Sequence, residues 1–233
     1  MKAMLLRIGI DKGTDGALAP IFNDGSFEYI PISEKKESAE NRTFITTIGR
    51  SGKFLSDYLP KKVASRKFHF DPEFETFTYG DPTSKRNYLV NLIENDLLVF
   101  YAGLTPYKTN KYKEALYIIG YFTVDKVIDF SQTNRSVAKS HHKLFSNNAH
   151  IKRSHHSKDL IIVIGKKGNS RLLEEAVLIS KPKLNKIGRI YHTVSPDMET
   201  LLGISGSIQR SIPPRLIKDE KNITNLKRLL NIT

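Results

Sequence analysis

The sequence contains no cysteine and no tryptophan. Without cysteine there are no disulfides, no thiol catalysis and no cysteine-based zinc sites, so an intracellular, cytoplasmic protein is expected. No apolar run approaches the roughly 18 residues of a membrane span. The first residues are charged too early for a signal peptide, so no membrane partner is expected. The 233 residues, of which 39% are hydrophobic and 26% charged, suffice for a sizeable core.

Acidic residues are scarce in the second half of the chain. Residues 1–130 hold 18 Lys+Arg and 17 Asp+Glu, whereas residues 131–233 hold 19 and 7. Almost all of the net charge of +13 therefore lies in 131–233. A field of one sign attracts polyanions, and neutralising their phosphates releases counterions. The distribution predicts nucleic-acid contact by 131–233, although a solvated basic face has the same composition.

Hydrophobic periodicity and turn residues predict one α+β domain spanning 1–233, with a mixed, barrel-like sheet flanked by helices. Strands are predicted at 2–10, 27–32, 94–103, 115–130 and 159–165. Helices are predicted at 84–93, 135–146, 196–203 and 219–231. Ser195 and Pro196 are favourable residues for a helix start. Residues 170–180 fit a helix or a strand.

The opening stretch "LLRIGIDKGTDGALAPIFNDG" is similar to the phosphate loop of actin-like ATPases, with Asp11 and Thr14 after a strand. Three features disfavour an ATPase. The chain is short for two large α/β halves, and the glycines at 203–207 match a second phosphate motif only weakly. Pro20 also interrupts the segment where a strand should return.

A second resemblance covers most of the chain as scattered short motifs. Residues 7–32 contain an Arg-x-Gly-x-Asp opening, a Pro-Ile pair, an Asp-Gly turn and a Pro-Ile strand end. Further motifs lie at 69–74, 95–103, 117–122, 147–150, 170–180 and 203–215. In these features the chain resembles the nucleotide modification associated domain of the third type, from which Ile8 and Lys12 depart. The resemblance implies a role near enzymes that modify bases in DNA and assigns no activity.

Residues 95–127 are also similar to the core hairpin of PUA-like domains, small barrels that hold a flipped or modified base. This similarity implies that Tyr101 and Tyr117 stack on a base, at about 1–3 kcal/mol each, while Lys and Arg hold the backbone. Extruding a base costs a few kcal/mol, so modified or damaged bases would be favoured. Two ordinary barrel strands would give the same pattern.

The motif "HFD" places His69 and Asp71 two residues apart, hence on one face of a strand. That geometry suits an acid–base or phosphate-orienting pair. A local polar cluster is the alternative interpretation. If the protein is an enzyme, His69 and Asp71 are the predicted catalytic residues.

Five of the seven histidines lie in residues 140–156. Adjacent histidines point apart, and no pair has the i, i+4 spacing of a helical zinc site. We therefore expect no metal and no cofactor, and interpret the segment as a solvated basic surface or as a phosphate contact through Lys152 and Arg153. His150 is the exception, since it belongs to the "NNAH" motif of the family resemblance.

These patterns predict a nucleic-acid-binding protein, with DNA favoured over RNA, that recognises a modified or flipped base in a DNA-modification or defence context. The alternative is an enzyme acting on a nucleotide or base, such as a transferase, glycosylase or nuclease. The loop "QRSIPPR" adds two arginines suited to an anion, and an ordinary rigid connection is the alternative interpretation. The predicted nucleic-acid-binding residues are Arg7, Asp11, Tyr101, Tyr117, His150, Lys152, Arg153, Ser170, Arg171, Arg210 and Arg215.

Overall fold

The computed structural model describes residues 1–132, 143–155 and 157–232. Its strands are β1 (Ala3–Arg7), β2 (Ala19–Ile21), β3 (Ile32–Ser33), β4 (Phe68–His69), β5 (Thr78–Asp81), β6 (Leu97–Pro106), β7 (Ala115–Asp129), β8 (Ile161–Gly165), β9 (Arg171–Leu178), β10 (Ser180–Leu184), β11 (Ile190–Val194) and β12 (Arg215–Ile217). Its helices are α1 (Lys61–Ala64), α2 (Arg86–Leu89), α3 (Pro196–Leu202) and α4 (Glu220–Leu229), with a 3₁₀ turn at Leu55–Tyr58.

Eight strands form one mixed sheet in the order β12-β1-β6-β7-β8-β5, with β2 also paired to β6 and β9 to β7. β1 and β2 run parallel to β6, and the other pairs are antiparallel. β3–β4 and β10–β11 form two separate ribbons. The α+β class is confirmed. The large sheet does not close, so the predicted PUA-like barrel is not confirmed.

The core lies around β6 and β7, whose residues 97–104 and 115–122 are all buried. Such continuous burial is typical of strands covered on both faces. Phe100 lies at the centre, with its ring centroid 4.7 Å from Phe122 and 5.6 Å from Tyr79. Because Tyr79 belongs to β5, this aromatic packing connects the central strands to the edge of the sheet that bears the candidate site.

Two of the predicted helices agree with the structure, and a third is shorter than predicted. α3 begins after Ser195 and ends at Gly203, which adopts the left-handed φ of 65°, and α4 lies within the predicted 219–231. The predicted helix at 84–93 is reduced to the four residues of α2. The ambiguous segment 170–180 contains the strand β9. Most of the helix predicted at 135–146 lies outside the described residues.

Within the described ranges, no helix combines the length and the apolar character required to cross a bilayer.

We expect Phe100→Ala to lower the free energy of unfolding by about 3–5 kcal/mol, since it removes a fully buried ring from the core. Phe54→Ala is the matched control because Phe54 is 44% exposed, and we expect it to cost less than about 1 kcal/mol. Denaturant unfolding measures both. Equal losses would contradict the placement of the core at β6 and β7.

Candidate functional site

The ribbon β3–β4 positions the predicted catalytic pair. Its register pairs Ile32 with His69, and Phe68 is buried in the core. His69 and Asp71 project to the other side, with His69 Nε2 3.9 Å from Asp71 Oδ2. Both side chains are almost fully buried. The alternation of the sequence therefore brings a histidine and a carboxylate together in a protected position.

His150 joins this pair from a segment about 80 residues away. Its Nε2 lies 3.2 Å from His69 Nε2 and 3.4 Å from Asp71 Oδ2. The His150 backbone N–H donates to Asn148 Oδ1 at 2.9 Å, which fixes the turn that carries the ring. A Cβ on Gly80 would lie 2.8 Å from His150 Cδ2. Only glycine therefore allows β5 to approach the imidazole so closely.

The two oxygens of Asp71 have different environments. Oδ1 accepts hydrogen bonds from Gly80 N at 2.8 Å and from Asn148 Nδ2 at 3.1 Å. Asn148 Nδ2 also donates to Thr78 Oγ1 at 3.2 Å. Since Oδ1 is engaged in this way, the carboxylate is held in place while Oδ2 faces both histidines. We call His69, Asp71 and His150 the histidine–aspartate cluster.

Glu34 and Arg153 support the cluster from behind. Arg153 donates from Nε to Glu34 Oε2 and from Nη2 to Glu34 Oε1, each at 2.9 Å. Glu34 Oε2 also lies 2.7 Å from His69 Nδ1. Arg153 Nη2, which only donates, lies 3.2 Å from the same Nδ1. The contact with the Glu34 carboxylate, which only accepts, is the shorter one, so we assign the proton of neutral His69 to Nδ1, and Nε2 offers its lone pair to the cluster.

Burial and charge act on these groups in opposite directions. Burial alone would raise the pKa of Glu34, but hydrogen bonds from His69 and Arg153 outweigh it and hold this pKa well below the ordinary range. Burial lowers the pKa of His69, an effect that its bond to Glu34 only partly offsets. At neutral pH the site therefore contains an ionised Glu34 and an uncharged His69.

Arg7 and Arg210 share one carboxylate beside the cluster. Arg210 Nε donates to Asp11 Oδ2 at 2.5 Å, and Arg7 Nη2 lies 3.7 Å from the same oxygen. Arg210 also donates to the carbonyl of Gly9. Burial lowers the pKa of Arg7, and its Nε has no hydrogen-bond partner among the described residues. Two guanidiniums on one carboxylate leave a local excess of positive charge.

The geometry of the opening loop differs from that of a phosphate loop. Asp11 Oδ1 accepts the backbone N–H groups of Gly13 at 2.9 Å and Thr14 at 3.0 Å. In a phosphate loop such N–H groups face the ligand. Here the loop binds its own aspartate, and Asp11 is turned toward Arg210.

The cluster borders a cavity of about 250 Å³ whose wall also includes Arg7, Lys85 and Arg210. A larger cavity of about 660 Å³ lies next to it, and both contain Arg7 and Arg210 in their walls. Burial lowers the pKa of Lys85. Arg7 and Arg210 therefore line both the larger cavity and the smaller one, whose wall includes the histidines.

Several predicted nucleic-acid contacts lie elsewhere. Tyr101 and Tyr117 are buried in β6 and β7, where their hydroxyls donate to Ile208 O at 3.1 Å and Lys113 O at 2.7 Å. In this structure neither ring has a free face on which a base could stack. The polar candidates outside the cavity bond within the protein: Lys152 to Glu40 and Asn147, Ser170 to Thr123 N, Arg171 to Leu230 O and Arg215 to Ser207 O.

Sequence reasoning missed Glu34, Lys85 and Asn148. Asn148 lies within "NNAH", so the signal that found His150 could have found it as well. Glu34 and Lys85 carry no local signal, because their role comes from contacts that the fold creates.

A comparison with protein families adds the context. The model of one family, nucleotide modification associated domain 3, matches residues 2–200. The chain belongs to this family. The match includes the histidine–aspartate cluster with Glu34, Arg153, Arg7 and Lys85, and it ends before Arg210. No curated protein and no solved structure matches the chain. The family description places the protein in a nucleotide-modification context.

We expect Glu34→Gln to lower the free energy of unfolding at pH 7 by about 3 kcal/mol, because it leaves Arg153 buried without its partner charge. The pKa of Glu34 is depressed by folding, so its contribution is present above the ordinary glutamate pKa and is lost as pH falls toward the depressed value. The difference between wild type and variant should therefore narrow below about pH 4.5.

Denaturant unfolding at several pH values checks this expectation. Glu94→Gln is the control, since the exposed Glu94 pairs with Lys166 at the surface, and it should change stability little at any pH. A wild type–variant difference for Glu34 that is independent of pH would show that its charge is not what stabilises the site.

Proposed function

We propose that this protein is an enzyme that acts on a nucleotide unit of DNA, with the histidine–aspartate cluster as its reactive centre. The observation that carries the proposal is the position of the cluster on the wall of a cavity that also contains Arg7, Lys85 and Arg210. Buried titratable groups with shifted pKa values are typical of catalytic sites. Cationic side chains in the same wall suit a phosphate or another anionic group of the substrate. The family description supports a nucleotide as the substrate.

The dimensions of the cavity limit what it admits. At about 250 Å³ it is smaller than the ~300–1,000 Å³ typical of pockets for drug-sized ligands. A single base or nucleoside matches this size better than a large cofactor. Since the histidines are recessed, a base within a duplex would have to be flipped out to reach them.

The chemistry that His69 can supply follows from its tautomer. Glu34 holds the proton on Nδ1, which leaves Nε2 as an oriented acceptor. Its lowered pKa keeps it unprotonated at neutral pH, as a general base requires. Asp71 Oδ2 and His150 Nε2 lie next to it. His69 Nε2 and Asp71 Oδ2 could receive a proton from a nucleophile or a base of the substrate, whereas His150 Nε2 carries a proton, because Arg153 Nη1 donates to its Nδ1.

The ribbon β10–β11 supports DNA as the partner. It carries Lys181, Lys183, Lys186 and Arg189, and residues 176–196 contain no acidic side chain. All residues from 181 to 190 are exposed. Leu184, Ile187 and Ile190 at its end are 64%, 72% and 69% exposed. Basic ribbons with apolar tips suit the grooves of nucleic acid, where lysines meet phosphates and apolar residues meet base steps.

The ribbon and the cavities form one continuous surface. Ile190, Tyr191 and His192 of β11 line the larger cavity, which shares Arg7 and Arg210 with the smaller one. DNA held on the ribbon would therefore lie next to the cavity that leads to the histidines. We propose that the ribbon binds the DNA backbone and that the smaller cavity receives one nucleotide.

Catalysis is tested by incubating the protein with oligonucleotides and free nucleotides, with and without added divalent metal, and measuring product masses. We expect the wild type to change the mass of at least one nucleotide. His69→Ala should slow turnover about 10²–10⁴-fold while DNA affinity stays within a few-fold. His155→Ala, at an exposed histidine, is the control and should keep full activity. Unaltered substrates after long incubation under all conditions would refute the enzyme.

A nucleic-acid-binding protein without catalysis is the second candidate, and the exposed basic ribbon favours it. We expect oligonucleotide affinity to fall with salt in a log–log plot, and the double variant Lys183→Ala/Lys186→Ala to reduce the slope by about 2. Lys166→Ala is the matched control, because Lys166 already pairs with Glu94 at 2.6 Å, and it should leave the slope unchanged. An affinity that is absent at low salt, or independent of salt, would rule out this surface.

A further inference from the structure

We infer that His69, Asp71 and His150 bind one divalent transition-metal ion. This inference deepens the proposed function. The ion would occupy the lone pair of His69 Nε2, so a water activated by the ion, and not His69 itself, would be the base in the same cavity. It is carried by the positions of three side-chain atoms: His69 Nε2, His150 Nε2 and Asp71 Oδ2. Each could donate one lone pair, and all three side chains are buried.

The spacing of these atoms matches a metal site. They form a triangle with sides of 3.2, 3.4 and 3.9 Å. The point equidistant from its corners lies about 2 Å from each, close to the ~2.0–2.2 Å bonds that Zn²⁺ makes to histidine and carboxylate. An ion at that point, or slightly out of the plane, needs no large movement of the three side chains.

The supporting hydrogen bonds orient two of the ligands. Glu34 accepts from His69 Nδ1 at 2.7 Å, the carboxylate–histidine arrangement that directs the other ring nitrogen to a metal. Gly80 N and Asn148 Nδ2 hold Asp71 Oδ1, which leaves Oδ2 available as a ligand. Such a supporting shell distinguishes a built site from a chance approach of polar groups.

Binding of the ion requires a change in the contact between Arg153 and His150. Its Nη1 lies 3.1 Å from His150 Nδ1, and arginine only donates, so the proton of neutral His150 resides on Nε2. Coordination through Nε2 requires that this proton leave Nε2 and that Nδ1 carry one instead. Arg153 Nη1 then gives up its contact with His150, while Nε and Nη2 keep their bonds to Glu34. The metal replaces a proton that now lies between the two histidines.

The ligand set also indicates the class of ion and its use. Two imidazoles and one carboxylate suit zinc, iron and similar first-row ions, whereas Mg²⁺ and Ca²⁺ prefer oxygen ligands. Three protein ligands leave positions open for water or substrate, as in catalytic rather than structural sites. Those positions would face the cavity that contains Arg7 and Arg210. An ion there could polarise a substrate oxygen or activate a bound water.

The test measures metal binding by the chelator-treated full chain in the absence of nucleic acid. A calorimetric titration with Zn²⁺ should show one tightly bound ion per chain. Zn²⁺ should also raise the melting temperature of the protein. Asp71→Ala and His150→Ala should weaken this binding about 100-fold or more. Glu34→Gln should weaken it about 10–100-fold, as expected for the loss of a supporting hydrogen bond to a ligand. His155→Ala should bind Zn²⁺ like the wild type.

Titration of the wild type with Co²⁺ gives a second readout that does not depend on whether variants fold. We expect visible absorption bands that saturate at one equivalent and are abolished by competing Zn²⁺. The inference is overturned if the wild type takes up no tight equivalent. It is also overturned if folded Asp71→Ala and His150→Ala bind like the wild type, or if His155→Ala alone loses the site.

The two proposals fail in different ways. One bound ion without turnover of any substrate would refute the enzyme and leave the metal site standing. Turnover that persists with excess chelator, in a protein that binds no Zn²⁺, would refute the metal site and leave the enzyme. DNA affinity measured in chelator reports on the ribbon alone.

Discussion

The ion pair between Glu34 and Arg153 is the interaction on which the site depends. It joins segments 119 residues apart through two hydrogen bonds of 2.9 Å. The same carboxylate fixes the tautomer of His69, and the same guanidinium contacts His150. The Glu34 carboxylate is almost fully buried and the Arg153 guanidinium is partly buried, so removing either would leave the other charge without its partner. One pair therefore determines where both histidines lie and which of their nitrogens face the cavity.

Asp11 has a comparable role at the other wall. One of its oxygens closes the loop at Gly13 and Thr14, and the other binds Arg210. The loop that resembles a phosphate loop in sequence therefore holds Arg210 and Arg7 through the carboxylate of Asp11. The groups here that could bind an anion are the guanidiniums that line both cavities, not backbone N–H groups. This difference is invisible in the motif, because it depends on a loop 199 residues away in the sequence.

Sequence patterns predicted those features that depend on residues close together in the chain. Alternation in "HFD" placed His69 beside Asp71, and Ser195 with Pro196 marked the start of α3. Such patterns could not predict contacts between segments that are distant in the sequence. Continuous apolar strands are equally compatible with a closed barrel and with the open sheet observed. The spacing rule that excluded a metal considered histidines on one helix, whereas the cluster combines His150 with a strand about 80 residues earlier. Glu34 had no signal because its partners are distant.

Charge and burial together explain how one fold could combine binding with chemistry. Part of the excess of lysine and arginine in 131–233 is exposed on the ribbon β10–β11, where salt would screen its attraction to the phosphates of the proposed partner. Arg153, from the same half, is instead buried against Glu34 and adds nothing to that surface. A polyanion would therefore meet the ribbon first. Arg7 and Arg210, which line both cavities, would receive its phosphate next, and only a flipped nucleotide would extend to His69.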